Sequence, residues 1–316
     1  MQSVLNLGGD VDSRFIMIAC AAHSFAPHRV ANARGALGAW LRSVPRGSRL
    51  GLEATGGHHE LLADLAHTAG LQVFVLNPRD LRRYAQGVGR RGKTDRIDAE
   101  VIARYVAREH AELHPYTPPS KAQRALSRLI KRRAKLVAIK GALTQSLRGL
   151  PGVRQELHQV ITRLERLIGQ VEALMQRALQ QVPAAQQAAQ RIATIPGFGP
   201  LGSTYLGHSF TRIPYANSDA VIAHTGLDPR PDESGRRQGR RRLSKRGPGE
   251  MRRIVFNCAM SAAKTQLWRP YYQAQRAKGL SSTAAIIILG RKMVRVAFAV
   301  YKHDQPFNPA GLRVIT

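Results

Sequence analysis

Acidic side chains are scarce in this chain. Twenty Asp and Glu stand against 49 Lys and Arg in 316 residues, leaving a formal net charge of +29. In such a background an isolated carboxylate is expected to be solvated or paired with a surface arginine. The excess of cations points to a polyanion partner, because Lys and Arg neutralise phosphates and release counterions. Cysteine is scarce too. Cys20 and Cys258 stand in apolar surroundings with no CxxC or Cys/His spacing, which argues for a reducing cytoplasm and against structural zinc. Long apolar runs are missing. The one candidate membrane span, Thr283 to Val300, is interrupted by Arg291, Lys292 and Arg295, as suits a helix in water. The opening MQSVLNLGGDVDSR lacks the basic and apolar regions of a signal peptide. Composition alone would also suit a basic protein that only binds RNA.

The first third alternates strands and helices. Leu5, Leu7 and Val11 alternate, and Phe15–Ala22 forms a second apolar run, which predicts a hairpin. His28–Asn32 continues as a strand, followed by a helix over Arg34–Ser43 and a strand over Arg49–Glu53 that ends in Ala54-Thr55-Gly56-Gly57. A helix over His59–Ala69 and a strand over Gln72–Leu76 follow, with Asn77-Pro78 as punctuation. Three antiparallel strands and then alternating helix and strand match the ribonuclease-H-like order, an α/β arrangement.

Against the basic background four carboxylates stand out. Asp10 ends the first strand and Glu53 the fourth, which are neighbours in such a sheet. Asp95 and Asp98 are three apart in Lys93-Thr94-Asp95-Arg96-Ile97-Asp98, so both lie on one helix face, with Thr94 or Asp95 able to cap the helix. A converging set of this kind repels itself unless a cation binds, and Mg²⁺ or Mn²⁺ suits the oxygen donors. The plainer reading pairs Asp95 and Asp98 with Arg91 and Arg96 on an exposed helix. Asp12 is a rival to Asp10, two residues on along the same strand face.

The middle differs in kind. Ser120–Arg154 holds ten Lys/Arg and no acid, with Leu126, Leu129, Leu136 and Leu143 at helical spacing. After Pro151-Gly152 comes a heptad seam: Leu157, Ile161, Leu164, Ile168, Val171 and Met175. The two helices can close on each other as a hairpin, or the seam can serve as a dimerisation arm. Pro183 and the Ala/Gln-rich stretch after it mark its expected end.

The last third starts at Ile195-Pro196-Gly197-Phe198-Gly199-Pro200, a turn of the helix-hairpin-helix type. There Gly197 and Gly199 let backbone N–H groups approach a phosphate. Arg230–Arg253 then packs ten Lys/Arg into a Gly/Pro/Ser-rich loop. Within it Ser234 is a candidate nucleophile, with Arg236, Arg237, Arg240, Arg241, Arg242 and Lys245 as phosphate contacts. An ordinary turn serine fits the same residues, and Ser244 is a second candidate. A long apolar helix, Ser282–Tyr301, closes the chain. The expected division is 1–115, an α/β domain; 116–190, a basic helical and coiled-coil connector; and 191–316, a mainly helical domain.

The chain resembles a family of insertion-sequence transposases over nearly its whole length. The likeness rests on Gly8-Gly9-Asp10-Val11, Leu52-Glu53-Ala54-Thr55-Gly56-Gly57, Asn77-Pro78 and Gly92-Lys93-Thr94-Asp95-Arg96-Ile97-Asp98-Ala99. It continues through Ile195–Pro200, Thr225-Gly226-Leu227-Asp228-Pro229-Arg230, Ser234-Gly235 and Leu243-Ser244-Lys245-Arg246-Gly247. These transposases join an N-terminal RuvC-like DEDD domain to a C-terminal serine domain; they are the bridge-RNA-guided serine recombinases. The resemblance implies Mg²⁺ on Asp10, Glu53, Asp95 and Asp98, and Ser234 as the nucleophile that becomes a phosphoserine. It implies donor and target DNA, a structured RNA that reads sequence by base pairing, a dimer or tetramer, and a bacterial nucleoid setting. Abundant Arg, few aromatics and no evident recognition helix agree with delegating sequence reading to RNA. Gly9, Asp12-Ser13 and Glu233 depart from the family pattern, which leaves Asp12 in view beside Asp10.

Overall fold

A computed structural model describes residues 4–22, 25–54, 56–89, 92, 94–230, 233–234, 237–238 and 242–312, with only the backbone at 233, 234, 237 and 238. The chain divides into two compact units at Pro118/Pro119. Residues 119–190, expected as a connector, therefore pack in one unit with the last third.

The first unit runs β1 (Asn6–Val11), β2 (Phe15–Cys20), β3 (His28–Ala31), α1 (Arg34–Leu41), β4 (Arg49–Glu53), α2 (Glu60–Thr68), β5 (Gln72–Leu76), α3 (Pro78–Gly87) and α4 (Asp95–Glu109). Its five strands lie in the order β3-β2-β1-β4-β5. The pairs β1–β2 and β2–β3 are antiparallel, and β1–β4 and β4–β5 parallel. This mixed sheet with helices is consistent with a ribonuclease-H-like DEDD domain. Strand alternation splits it into two apolar layers. Leu7, Ile16, Ile18, Leu50, Leu52 and Val73 pack with Leu37 of α1 and Leu62 of α2. Phe74 and Leu76 point the other way and pack with Leu81 of α3 and with Ile102 and Val106 of α4. The predicted elements recur within a few residues of their expected ends, but α3 was not expected. Asn77-Pro78 is its start, with Asn77 Oδ1 accepting from Arg79 N at 2.9 Å and Pro78 at the first helical position.

The second unit opens with α5 (Lys121–Ser146), capped reciprocally by Ser120 and Gln123, and α6 (Arg154–Gln180). The two helices pack on each other. Leu126, Ile130, Met175 and Leu179 share their core with Val182, Ala185 and Ala189. A second row on α6 stays outside this core: Val160, Leu167 and Leu174, seven apart, are 44 %, 42 % and 46 % exposed. The seam helix ends at Gln180, just before Pro183 as expected, and a further helix starts there. Pro183 occupies the first position of α7 (Pro183–Ala193), where its missing N–H has no intrahelical partner to lose.

There follow α8 (Pro200–Arg212), α9 (Ser218–Thr225), β6 (Pro229–Arg230), β7 (Glu233–Ser234), β8 (Arg237–Gln238), β9 (Arg242–Leu243), α10 (Gly249–Ala262), α11 (Arg269–Ala277) and α12 (Ser282–His303). The main core gathers Phe210, Met251, Trp268, Leu289, Met293 and Phe298. Between α9 and α10 the basic segment, expected as a loop, holds two short antiparallel strand pairs, called the ribbon below: Pro229 with Leu243 and Arg230 with Arg242, and Glu233 with Gln238 and Ser234 with Arg237. Among the described residues no helix is long and apolar enough to cross a membrane.

Candidate active site

Two glycines bring the acidic residues together. A Cβ on Gly8 would stand 2.2 Å from Ala99 O and 2.3 Å from Ala103 N, and one on Gly51 would stand 2.5 Å from the Val106 side chain. Only hydrogen fits at either position, so α4 lies almost on the backbones of β1 and β4. Side chains on a strand alternate, so Asp10 and Glu53, two residues beyond Gly8 and Gly51, face the same way. Gly9 pairs with Leu52, which puts Asp10 and Glu53 side by side at the ends of adjacent parallel strands. Two strand residues span about 6.6 Å, which equals roughly four residues of helix. Counting four back along α4 from Ala99–Ala103 reaches residues 95–99, which include Asp95 and Asp98.

The electrostatics agree. Burial first, then the charges of Asp98, Asp95 and Glu53 in that order, together push the Asp10 carboxyl up to about 6. Glu53 and Asp98 line one cleft of about 410 Å³ with Leu81, Arg82, Gln86 and Ile102. Thr94, rather than Asp95, caps α4; its Oγ1 accepts from Ile97 N at 3.2 Å. Asp95 is turned toward Arg29 on β3, with Nη2 to Oδ2 at 3.3 Å, and that guanidinium lies 4.3 Å from the Phe15 ring centre. Arg96 pairs with Glu100 at 3.1 Å. The expected rival pairing of the two aspartates with Arg91 and Arg96 meets its limit here, because Arg91 lies outside the described residues. Asp12 has other employment. It is exposed and accepts from Arg14 N at 3.0 Å in the β1–β2 turn, bonds that hold its carboxyl below the usual range.

Four carboxylates with one proton affinity raised form a hard oxygen donor set of the kind a divalent cation takes. With their side chains as they stand, no three acidic, His or Cys groups among the described residues are close enough to hold one ion. The mutual repulsion is long-ranged, whereas coordination is a matter of about 2 Å. Asp95's engagement with Arg29 is one visible reason the set is open.

In the second unit Ser234 lies on the innermost described pair of the ribbon, opposite Arg237. Of Ser234 and Arg237 only the backbone is described, and Arg236, Arg240 and Arg241 lie outside the described residues. Arg242 is exposed at the ribbon's base and Lys245 follows it with φ of 51°, a left-handed backbone. Ser244 sits at the root rather than near Ser234. Its Oγ donates to the Asp228 carboxylate, and its N–H bonds Asp228 O at 2.9 Å. Arg252 clasps the same root, with Nη1 donating to Thr225 O at 3.2 Å and Gly247 O at 2.6 Å. The turn glycines divide in role. Gly197 has φ of 102°, and a Cβ there would stand 2.5 Å from Ala262 Cβ, so its lack of a side chain serves packing on α10. Gly199 is exposed with open space around it, just before α8. Sequence reasoning passed over Arg29, Gly51 and Asn32, whose amide bridges Asp12 O and His58 O at 3.0 and 3.1 Å. The pattern Gly-x-Asp in β1 and Gly-x-Glu in β4 is the signal that could have exposed the close helix.

Comparison with known proteins follows the same two units. A family model described as "Transposase" matches residues 22–150, a span that holds Glu53, Asp95 and Asp98. A model described as "Transposase IS116/IS110/IS902 family" matches residues 189–273, which hold Ser234. The pilin gene-inverting protein of Moraxella bovis is 28 % identical over 268 residues, 81 % of each chain. The transposase for insertion sequence element IS1328 of Yersinia enterocolitica is 27 % identical over 297 residues, 81 % of this chain and 84 % of its own. A Streptomyces clavuligerus protein of insertion element IS116 is 29 % identical over 181 residues, 55 % of this chain and 44 % of its own.

Proposed function

Because this chain belongs to the IS116/IS110/IS902 family of transposases, a family of DNA-processing enzymes, we propose that it cuts and rejoins the DNA of an insertion sequence through a phosphoserine on Ser234. The observation that carries this reading is the seat of α4 on Gly8 and Gly51, which brings Asp95 and Asp98 toward Asp10 and Glu53; the raised Asp10 carboxyl agrees with it. A solvated surface acid would not feel three others at once.

Asp10, Glu53, Asp95 and Asp98 are the residues to hold Mg²⁺ or Mn²⁺, which when bound neutralises charge developing on a phosphate. Arg29 holds Asp95 in place through their ion pair at 3.3 Å. At the ribbon, the Ser234 Oγ forms a bond to phosphorus as the bond from phosphorus to the leaving strand's oxygen breaks. The hydroxyl proton passes to that leaving oxygen. A hydroxyl of the new strand then attacks the phosphoserine, the serine recovers its proton, and the phosphoester bond count is unchanged. Arg236, Arg237, Arg240, Arg241, Arg242 and Lys245 offset the phosphate charge, and Gly199, exposed just before α8, lets backbone donors approach the DNA while Gly197 seats the turn on α10. A relative whose name is gene-inverting supports rejoining over simple hydrolysis.

The remaining partners are donor and target DNA and a structured RNA of the element, in keeping with the arginine-rich, aromatic-poor composition. Copies of the chain assemble as a dimer or tetramer, for which the exposed Val160, Leu167 and Leu174 row is the supporting surface. The chain works in three parts along 1–115, 116–190 and 191–316, in the bacterial cytoplasm at the nucleoid. The test is strand exchange between plasmid-borne element junctions and target. Asp98→Asn and Glu53→Gln abolish exchange while leaving RNA retention in a gel shift nearly intact. Exchange that survives both substitutions overturns the role of the acidic set.

A further inference from the structure

Partly buried arginines of the second unit generally have partners. Arg133 bonds Glu172 at 2.8 Å and Glu250 at 3.3 Å. Arg191 pairs with Asp304, Arg252 clasps two carbonyls, and Arg295 bonds Asp219 at 2.8 Å. Arg291 is an exception among the described residues. It is half-buried on α12, its Nε is shielded from solvent, and that nitrogen meets no acceptor. Leaving a shielded donor unmet is unfavourable, and doing so on a permanent cation is more so. Such a group in a native fold calls for a reason, and an ion that arrives from outside is one.

The place of Arg291 says which ion. Arg295, one turn later on α12, binds Asp219 in the first turn of α9. Arg291 lies one turn back, and it feels Asp219 as well as Asp228, which stands just before β6 where the ribbon begins. Both carboxylates are already committed, Asp219 to Arg295 and Asp228 to the Ser244 hydroxyl. Tyr271 of α11 lies near both arginines; burial keeps its phenol protonated to higher pH, although their charges act the other way. Two guanidiniums lie one turn apart with a phenol beside them, and with the local acids engaged elsewhere the Arg291 Nε is left without an acceptor.

We propose that Arg291, with Arg295 and Tyr271, binds a backbone phosphate of the DNA strand at the root of the ribbon that carries Ser234. The site rests on the reading of that ribbon as the DNA-joining element. A guanidinium takes a phosphate through two parallel N–H···O bonds, and the phenol supplies a third donor. An incoming anion also removes the repulsion between the two arginines. A contact of this kind fixes register and carries no sequence information, as suits an enzyme whose target is read by other means. It is carried by a long helix whose other face is deep in the core, so the donors are held rather than mobile. The family match in this unit ends at 273, short of both arginines.

The experiment measures binding of a labelled DNA duplex to the full chain over a salt series, without metal or RNA. Arg291→Ala is expected to weaken binding by roughly tenfold at low salt. It lowers the slope of log affinity against log salt by about 0.9, the value of one phosphate. Arg291→Lys keeps the slope and loses part of the affinity, because charge remains while the fork is gone. Arg291→Gln, similar in reach and uncharged, stands in if the alanine variant fails to fold. An unchanged slope in a folded Ala or Gln variant overturns the site and leaves Arg291 as a packing residue. A lowered slope for an RNA hairpin with none for DNA overturns the assignment to DNA. Ser234→Ala separates the two readings: it removes any covalent adduct yet must keep the Arg291-dependent slope. A wild-type chain that forms no adduct but shows that slope retains the phosphate site without the serine chemistry.

Discussion

Gly8 faces the carbonyl of Ala99 so closely that a single added carbon would stand 2.2 Å from the oxygen. That contact sets how near α4 comes to β1, and so how near Asp95 and Asp98 come to Asp10. Gly8→Ala must push the helix away from the sheet. Overpacking of this kind costs on the order of 3 kcal/mol and opens the acidic set at the same time. Gly38→Ala on α1, where a Cβ meets nothing within 4 Å, is the control and stabilises by roughly 0.5–1 kcal/mol. Thermal unfolding of both variants checks the pair. A Gly8→Ala protein as stable as the wild type would mean the helix does not sit where the account needs it.

The carboxylates repel one another, so neutralising one helps the metal-free protein. Asp10→Asn raises the melting temperature without divalent ions, by on the order of 3 °C for a screened contribution near 1 kcal/mol in a chain of this size. Added Mg²⁺ or Mn²⁺ raises the wild-type melting temperature and does less for Asp10→Asn or Glu53→Gln. Equal ion responses in all three proteins would remove these residues from the ion's shell.

His208 gives a pH dependence that is separate from catalysis. Its Nε2 meets Ser127 Oγ at 2.7 Å while Nδ1 is buried without a partner. Burial first, and Arg212 second, hold the imidazole down to about 4 from an ordinary 6.5. The unfolded chain therefore takes up the proton first. Stability is complete above pH 6.5 and declines as pH falls from there toward 4. The melting temperature of the wild type drops more across that window than that of His208→Gln. Parallel pH profiles would show that the imidazole protonates in the folded protein.

How much of this was legible beforehand depends on the kind of contact. The five strands follow from alternation, and the Asp95–Asp98 pairing follows from helical spacing, because both are local periodicities. Helix α3 is hidden in the sequence because Asn77-Pro78 reads as a break and is equally a helix start. Helix α7 is hidden because an Ala/Gln stretch has little amphipathic contrast and Pro183 reads as an end as readily as a start. The Arg29–Asp95 pair joins residues 66 apart, which no local pattern reveals. The ribbon bearing Ser234 is dense in arginine and glycine, so strand pairing there left no alternation to read.

The row of Val160, Leu167 and Leu174 is exposed, whereas Ile168 and Met175 of the neighbouring seam are buried. Leu167→Glu with Leu174→Glu is expected to shift the mass in sedimentation toward the monomer and to change the melting temperature by less than about 2 °C, as suits half-exposed side chains. An unchanged mass would send the search for the subunit joint elsewhere.

The central claim, a serine that becomes covalently joined to DNA, is tested most directly by trapping that joint. Full-length protein, RNA transcribed from the flank of the element, Mg²⁺ and end-labelled donor DNA are mixed, denatured and separated on a gel, with Ser234→Ala and Asp98→Asn in parallel. The account predicts a label-bearing protein band in the wild type that is absent from both variants and from the chelated reaction. Cleaved DNA without any protein-linked label, or a band that persists in Ser234→Ala, would contradict it.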